Sequence, residues 1–596
     1  MHTTASYTEW QDSQKPALTL LQRLGYTYLS PEQALAARGN AESRVLLETI
    51  LEDQLRKINR IEYKGKRYPF SDENIYAAIE ALREIPDLGV VRSNEQAYDL
   101  LTLGKSLEQA VEGDRKSFTL NYIDWKNFDN NVFHVTDEFQ VAGLREDRRP
   151  DIVLFVNGIP FVIIECKRRD KNFSLDECIS QMLRNQKRDD GIPKLFYYAQ
   201  LLLAVQPNEV KFATAGTEKR YWSVWKESTD LDAAVAPYRE GEGRLPTEQD
   251  RMFYALCRRD RLMELTYQFI VYEAGDKKIA RYNQYFAVKK IVERVHEFSH
   301  DGKRKGGVIW HTQGSGKSLT MVFLAKAIAL DKKIENPRVV LVTDRVDLDQ
   351  QIWKTFHHCG KEPNQARTGE HLIELLRDEN AEIITTVIDK FDAIKNKVVE
   401  PIPSKNIFVL VDESHRSQYG FMHARMKKLL PNACYLGFTG TPLMKSEKNT
   451  AHKFGGIIDT YTFDKAIPDK VIVPLLYEGR IVQEQAHKKP LDRGFNRIAE
   501  PLTPYQRRDL KKKFATEDQV ANTAQVIEEV GYDVQRHYTE NWQGTGFKAQ
   551  LATSSKITAI MFHNFFETEG KIKTAVLISP PDTREGHEDI YDDVKD

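Results

Sequence analysis

Two stretches of this 596-residue sequence carry side chains whose types and spacing can do chemistry. In the first, RPDIVLFVNGIPFVIIECKRR, Asp151 and Glu165 stand at the outer ends of two apolar runs, Ile152–Val156 and Phe161–Ile164, with Lys167 two residues beyond Glu165. Asn157-Gly158 between the runs is a strong hairpin signal, and period 2 puts Glu165 and Lys167 on one strand face. A two-residue turn sets Asp151 opposite Ile164, and a three-residue turn sets it opposite Glu165. Convergence of the carboxylates therefore requires the longer turn, or a bulge with the same effect. Two carboxylates a few ångströms apart repel unless a cation sits between them. Mg²⁺ accepts one or two carboxylates and fills its other positions with water or phosphate. A lysine beside it orients or deprotonates water and offsets charge on a phosphorane. Asp151 and Glu165 as metal ligands with Lys167 alongside are the minimum for metal-assisted phosphodiester hydrolysis; the spacing alone is equally compatible with a strand whose ends carry solvated charges.

The second stretch is GVIWHTQGSGKSLTM, Gly307 to Met321. An apolar strand leads through a turn, with Thr312, Gly314, Ser315 and Gly316, into an apolar helix start. Glycines fold such a turn tightly, so that its N–H groups and the helix N-terminus make an anion site for phosphate. Lys317 reaches the β- and γ-phosphates of a nucleotide and Ser318 holds Mg²⁺. His311 occupies the place of the first Walker A glycine.

The surrounding elements must position these groups. Residues 1 to about 120 read as mostly helical, including Ser43 to Ile58 and a helix from Ser71 or Asp72 to Ile85. Alternating strands follow from Ser117. A helix, Leu175 to Arg184, and a strand, Phe196 to Val205, come after Lys167. Lys226 to Gln249 is charged and aperiodic and marks a boundary; the arginines near Arg261 read as a solvated face. Beyond the phosphate turn, apolar strands end in polar groups: Val339–Val342 before Thr343, Ile383-Ile384 before Thr385-Thr386, Ile407–Val411 before Asp412-Glu413-Ser414-His415, and Tyr435–Phe438 before Thr439-Gly440-Thr441. This alternation predicts a parallel sheet with its ligands at the strand C-termini. Asp412 is placed to hold Mg²⁺, and Glu413 to orient or deprotonate the water that attacks a γ-phosphate.

Composition excludes several classes. Net charge is −1, so no overall basicity points to nucleic acid and any such surface is local. Five scattered cysteines without a CxxC pair argue against a zinc ribbon and fit a reducing cytoplasm. No apolar run approaches the roughly 20 residues of a membrane span.

Pro150-Asp151 … Glu165-Cys166-Lys167 resembles the PD-(D/E)xK nuclease family. Gln181, in Gln181-Met-Leu-Arg-Asn185, matches the glutamine of a Q-xxx-Y element in related nucleases of translocating restriction enzymes, with Asn185 in place of the tyrosine. Gln284 of ARYNQYFAV, the Walker A loop, Thr343-Asp344-Arg345, Thr385-Thr386, Asp412 to His415 and Thr439-Gly440-Thr441 resemble superfamily 2 helicase motifs. The order, nuclease then motor, resembles the restriction (R) subunit of type I restriction-modification enzymes over about residues 120–480. The resemblance implies an α/β fold: an N-terminal helical region and PD-(D/E)xK domain over 1–225, a linker over 226–260, a RecA-like domain over 261–463 and a partial second one over 464–596. It implies ATP and Mg²⁺, with Gln284, Thr312, Gly314, Ser315, Gly316, Lys317, Ser318, Asp412, His415, Thr439, Gly440 and Thr441 around the nucleotide. It implies translocation and cleavage of double-stranded DNA, in a cytoplasmic complex with methyltransferase (M) and specificity (S) subunits and without a membrane. R subunits run longer and carry motifs V and VI, which are not found here, so an N-terminal fragment is expected. A repair-type helicase–nuclease and an ATP- and DNA-binding module without turnover are the alternative readings.

Overall fold

A computed structural model of the chain describes residues 9–168, 174–227, 229–241, 243–343, 356, 362–387, 389–392, 400–412, 426–440, 454–479 and 524–578. The chain forms two compact units, Met1–Pro474 and Leu475–Asp596. The first is organised on two sheets. Its N-terminal sheet has six strands in sequence order: β1 (Thr27–Tyr28), β2 (Phe133–Asp137), β3 (Ile152–Val156), β4 (Ile159–Cys166), β5 (Leu201–Gln206) and β6 (Glu209–Ala213). β1 with β2 and β4 with β5 are parallel; the other pairs are antiparallel. Every residue of β3 and β4 is buried, which is why both read as unbroken apolar runs and not as alternating ones.

The β3–β4 turn has two residues, Asn157 and Gly158, at φ of 51° and 81°, as a primed hairpin turn demands. Asn157 is locked there: its Nδ2 donates to Tyr122 O and Asn131 Oδ1 at 2.9 and 2.8 Å, and its Oδ1 accepts from Val132 N at 2.9 Å. The register then slips beside Leu154/Phe155 and sets Ile152 opposite Ile164. Of the two devices the sequence allowed, the bulge is the one that forms, and it carries Asp151 to the level of Glu165.

Tertiary contacts move other boundaries. The helix expected from Ser43 starts at Glu48, because Leu47 N–H donates to Gly158 O at 2.8 Å and is drawn out of the helix. Ser71 caps the next helix, Asp72–Arg83, through its hydroxyl. The segment 226–260, expected as a linker, contains Leu231–Val235 and a ten-residue helix, Glu248–Cys257. Asp250 of that helix is fully buried under Arg244, which donates to both carboxylate oxygens at 2.6 and 3.0 Å. Arg261 is no solvated face either. It is 4% exposed, paired with Glu227 at 2.8 Å and set over the Tyr285 ring, a pairing that offsets its desolvation.

A hairpin, β7 (Ile270–Glu273) and β8 (Asp276–Ile279), precedes the second sheet. That sheet comprises β9 (Gly307–His311), β10 (Arg338–Thr343), β11 (Pro363–Gln365), β12 (Ile383–Val387), β13 (Ile407–Val411), β14 (Cys434–Thr439) and β15 (Ile457–Tyr461), in the order β11-β12-β10-β13-β14-β9-β15, all parallel. Thr385 and Thr386 lie inside β12 and not beyond it. One apolar core runs through both sheets, from Ile163 and Val205 to Phe269, Phe323 and Phe438.

The first unit continues past position 464, where a second motor region was expected. Asp469 ties this tail down by accepting from Tyr461 at 2.7 Å and from Tyr282 and Lys226. In the second unit, helices Ala524–Asn541 and Lys556–Glu569 pack through Ile527, Phe562 and Phe566, and no strand occurs among its described residues. No described helix is long and apolar enough to cross a membrane.

Asn157→Ala removes three hydrogen bonds and leaves a non-glycine residue at positive φ without its local support. The expected cost is about 2–4 kcal/mol. Scanning calorimetry should show the first unit, 1–474, melting about 2–4 °C lower; an unchanged transition would mean that this amide does not fix the turn.

Candidate functional site

The bulge delivers the carboxylates to one place. Cys166 N–H donates to Asp151 Oδ2 at 2.6 Å, pinning Asp151 over the end of β4. Gln181, from the helix Ser174–Asn185, donates Nε2 to Glu165 Oε2 at 2.8 Å. Glu165 is fully buried and its other oxygen, Oε1, has no protein partner. Lys167 Nζ lies 3.0 Å from Cys166 O and 3.5 Å from Glu9 Oε1. Cys166, between Glu165 and Lys167, is fully buried in the core.

Electrostatics follow the geometry. Burial pushes Asp151 up to about 6, against the opposing pull of the Cys166 amide and Lys167. Burial first, and Asp151 second, push Glu165 well above the usual carboxyl range. For Lys167, burial acts to lower the value, but the Asp151 and Glu9 carboxylates outweigh it and the ammonium is stabilised. Glu9 is the group that sequence reasoning missed. It precedes a π-helical turn, Trp10–Gln14, anchored by Ser13 Oγ donating to Gln249 Oε1 at 2.7 Å. No spacing rule connects an acid at position 9 with a hairpin at 151–167.

A buried carboxylate oxygen without a donor is costly unless the group takes up a proton, here shared with Asp151, or a cation faces it. Two hard oxygen ligands suit Mg²⁺, so Asp151 and Glu165 fit that ion. Among the described residues no group of three or more His, Cys, Asp or Glu could hold a metal, which leaves the remaining positions to water or phosphate.

The nucleotide-type site is built at the C-terminal edge of the second sheet, where β9, β14 and β13 lie side by side. Gly314 and Gly316 take φ of 79° and 85°, a region closed to most side chains. The helix Lys317–Ala329 starts directly after. Lys317 is 9% exposed, and a Cβ on Gly440 would meet its Nζ at 2.7 Å, so the lysine spans from the turn to the end of β14. Thr439 is buried beside it. Ser315 Oγ donates to Thr312 O at 2.6 Å and Thr312 N–H to Tyr461 O at 2.9 Å; Thr312 Oγ1 is buried without a partner. Ser318 is half-buried in the first helical turn. Asp412 is buried just past β13, its N–H bonded to Val342 O.

Gln284, expected at the nucleotide, is engaged within the protein. Its Nε2 donates to Gly316 O at 3.1 Å and its Oε1 accepts from Arg281 N at 2.9 Å. His311 is fully buried with Nε2 at 2.8 Å from Asp459, which also accepts from Lys290 at 2.6 Å. The residue in place of the Walker glycine therefore bolts β9 to β15. Glu413, His415, Thr441, Asp344 and Arg345 lie outside the described residues.

A cavity of about 470 Å³ opens beside the turn. Gln284, Gly314, Ser315, Gly316 and Leu319 line one side, and Thr214, Thr217 and Tyr221, following β6 of the N-terminal sheet, line the other. Asp151, Glu165 and Lys167 are not part of its wall.

Two outcomes are expected. Mg²⁺ needs ionised ligands, and a carboxyl at about 6 is roughly one-tenth ionised at pH 5. Calorimetry should therefore find Mg²⁺ bound at least about tenfold more tightly at pH 7.5 than at pH 5, since Glu165, raised as well, must also ionise. In the metal-free chain these raised carboxyls stabilise the fold below the unfolded value of 3.8 and lose that contribution as pH rises through about 6, so added Mg²⁺ should raise the melting temperature at pH 7.5 and not at pH 5. For the turn, a methyl group at position 316 meets a positive φ and stands 2.5 Å from Gln284 Nε2. Gly316→Ala should weaken binding of a fluorescent ATP analogue at least about tenfold, about 1.4 kcal/mol.

Comparison with known proteins adds to this geometry. Residues 6–223 match the family model of the type I restriction enzyme R protein N terminus, and residues 283–508 match the SWI2/SNF2 ATPase model. The chain is 28% identical over 623 residues to the endonuclease subunit of the type I restriction enzyme HindI of Haemophilus influenzae, covering 97% of this chain and 57% of that protein. It is 29% identical over 587 residues to a Methanocaldococcus jannaschii protein assigned as the MjaIXP endonuclease subunit, covering 94% and 55%. The chain thus spans about half the length of these curated relatives. A solved fragment from Vibrio vulnificus, assigned as a type I restriction enzyme subunit, aligns over 75% of this chain and 73% of its own, at 14% identity and a TM-score of 0.26. The chain is thus similar, over residues 6–223, to the N-terminal part of type I restriction enzyme R proteins and, over residues 283–508, to SWI2/SNF2 ATPases.

Proposed function

We propose that this chain is the ATP-driven, DNA-cutting part of a type I restriction endonuclease, acting on double-stranded DNA with methyltransferase and specificity subunits. The observation that carries the reading is Glu165: fully buried, oriented by Gln181, with one oxygen unsatisfied next to Asp151, in a chain that also holds an ATPase region. In this reading residues 1–225 hold the nuclease, 261–463 the first motor domain and 464–596 the start of the second, with 226–260 between.

Asp151 and Glu165 would hold Mg²⁺, which when bound polarises the scissile phosphate and lowers the pKa of a bound water. Gln181 keeps Glu165 Oε1 turned toward that position by occupying Oε2. Lys167, with its ammonium stabilised, stays charged at neutral pH and counters the charge that builds on the phosphorane; it is not a general base. A DNA phosphate arriving there competes with Glu9 for the same ammonium. At the second site the turn amides and Lys317 bind the β- and γ-phosphates, Ser318 and Asp412 would hold the nucleotide's Mg²⁺, and Glu413 positions the attacking water. By motif resemblance, Thr439, Gly440, Thr441 and His415 are assigned to the phosphate end. Gln284 engages adenine by exchanging its bond to Gly316 O for the base edge.

The test uses the chain assembled with its methyltransferase and specificity subunits. Glu165→Gln should lower DNA cleavage at least about a hundredfold while leaving ATP binding within about twofold. Lys317→Ala should weaken ATP binding and stop cleavage, with Mg²⁺ binding at Asp151–Glu165 retained. Wild-type cleavage by Glu165→Gln would remove the nuclease assignment; wild-type cleavage by Lys317→Ala would show that cutting does not need the motor.

A further inference from the structure

The hairpin β7–β8 drives a lysine into the interior of the N-terminal region. Lys277 is 3% exposed, and its Nζ lies 2.7 Å from Asn94 Oδ1, 2.7 Å from Gln200 Oε1 and 3.1 Å from Ala199 O. Three oxygen acceptors at these distances consume three N–H donors, which only the ammonium form of lysine has. Lys277 makes no ion pair with a described carboxylate. Burial favours the neutral amine; the three acceptors oppose it and have to be held in place to do so.

Asn94 is as fully committed. It belongs to the helix Val90–Leu103 and is completely buried. Its Nδ2 donates to Phe196 O and Ala199 O at 2.8 and 2.9 Å, while its Oδ1 accepts from Lys277 and from Tyr272 OH at 2.7 and 2.6 Å. Two donors and two lone pairs are all in use, so no part of this amide can re-pair without leaving a buried group orphaned. One turn along the same helix, Tyr98 packs against Tyr272 with ring centroids 5.5 Å apart and planes tilted by 53°, and donates to Thr266 O. The buried Lys326, from the helix that begins at the phosphate turn, approaches Tyr98 OH at 3.4 Å.

On the other side, Ala199-Gln200 runs straight into β5. Gln200 N–H donates to Phe161 O at 2.7 Å, and β5 sets Ala204 against Glu165. The junction thus joins the helix behind the phosphate turn to the strand beside the buried carboxylate.

We infer that Lys277 and Asn94 lock the carboxylate-bearing sheet and the phosphate-turn half of the motor into one rigid body, with Lys277 as a positioning residue. Polar groups with no spare valence admit no sliding intermediate: the interface is closed, or it opens and strands a buried cation. Nucleotide binding then moves the two sites together and does not swing one against the other. This conclusion rests on the junction's geometry and holds whether or not the carboxylates cut DNA.

Spin labels at the exposed positions 184 and 293, one on each side of the junction in the full chain, test it by pulsed electron–electron distance measurement. The wild-type background should give one narrow distance, the same without nucleotide and with a non-hydrolysable ATP analogue. Lys277→Met, which keeps most of the side-chain length but removes all three hydrogen bonds, should broaden that distance; because Lys277 also lines the cavity beside the phosphate turn, the width of the distance, and not analogue affinity, is the readout. A nucleotide-dependent shift of the wild-type distance would overturn the inference, as would a Lys277→Met chain with a distribution as narrow as wild type. The wild-type measurement decides even if the variant does not fold.

Discussion

Two carboxyl groups forced together in a buried place set the terms for everything around them. Asp151 and Glu165 meet at the end of a sheet whose neighbouring residues are all apolar and buried, where like charges cannot both persist uncompensated. The surroundings meet that constraint piecemeal. The Cys166 amide takes one oxygen, Gln181 takes another, and Lys167 supplies a positive charge at the rim. One oxygen of Glu165 is left with no protein donor. Leaving it open costs free energy that a proton on Glu165, or a bound cation, recovers.

The sequence exposed this chemistry unevenly. The hairpin and its acids were legible because strand period and an Asn-Gly turn are local properties, and the choice between turn and bulge could be framed, though not made, from the same residues. The parallel order of the second sheet followed from strands ending in polar motifs. Features set by contacts between distant residues were not legible. Leu47 leaves its helix for a carbonyl at Gly158, Arg261 is buried by partners at 227 and 285, and Glu9 reaches Lys167 across more than 150 positions. Gln284 was recognisable as a residue near the phosphate turn, but its engagement with Gly316 O belongs to the folded state. For each of these, the deciding partner lies outside any window over which periodicity operates.

The phosphate turn shows the same economy as the carboxylate site. Glycines at positive φ let the backbone close; His311, standing where another glycine would be usual, is accommodated because its ring is buried against Asp459 and Tyr461. A larger residue is tolerable there because the strand beside it supplies a carboxylate, and that carboxylate is shared with Lys290. The departure from pattern is thus absorbed by a neighbour nearly 150 residues away.

The wall of the 470 Å³ cavity has a consequence for modularity. Thr214, Thr217 and Tyr221 come from before position 226, while Gln284 and the glycines of the turn come from after it, and the apolar core is likewise continuous across the border. Cutting the gene near codon 226 would therefore not release a motor and a nuclease as independent parts. It would leave a motor with half of a pocket and a stripe of uncovered apolar surface, and a nuclease with a hole where a lysine had been. Exchange of these halves between relatives must preserve the seam as well as the two active centres, so recombination has far fewer viable crossover points here than the alternation of sheets along the chain suggests.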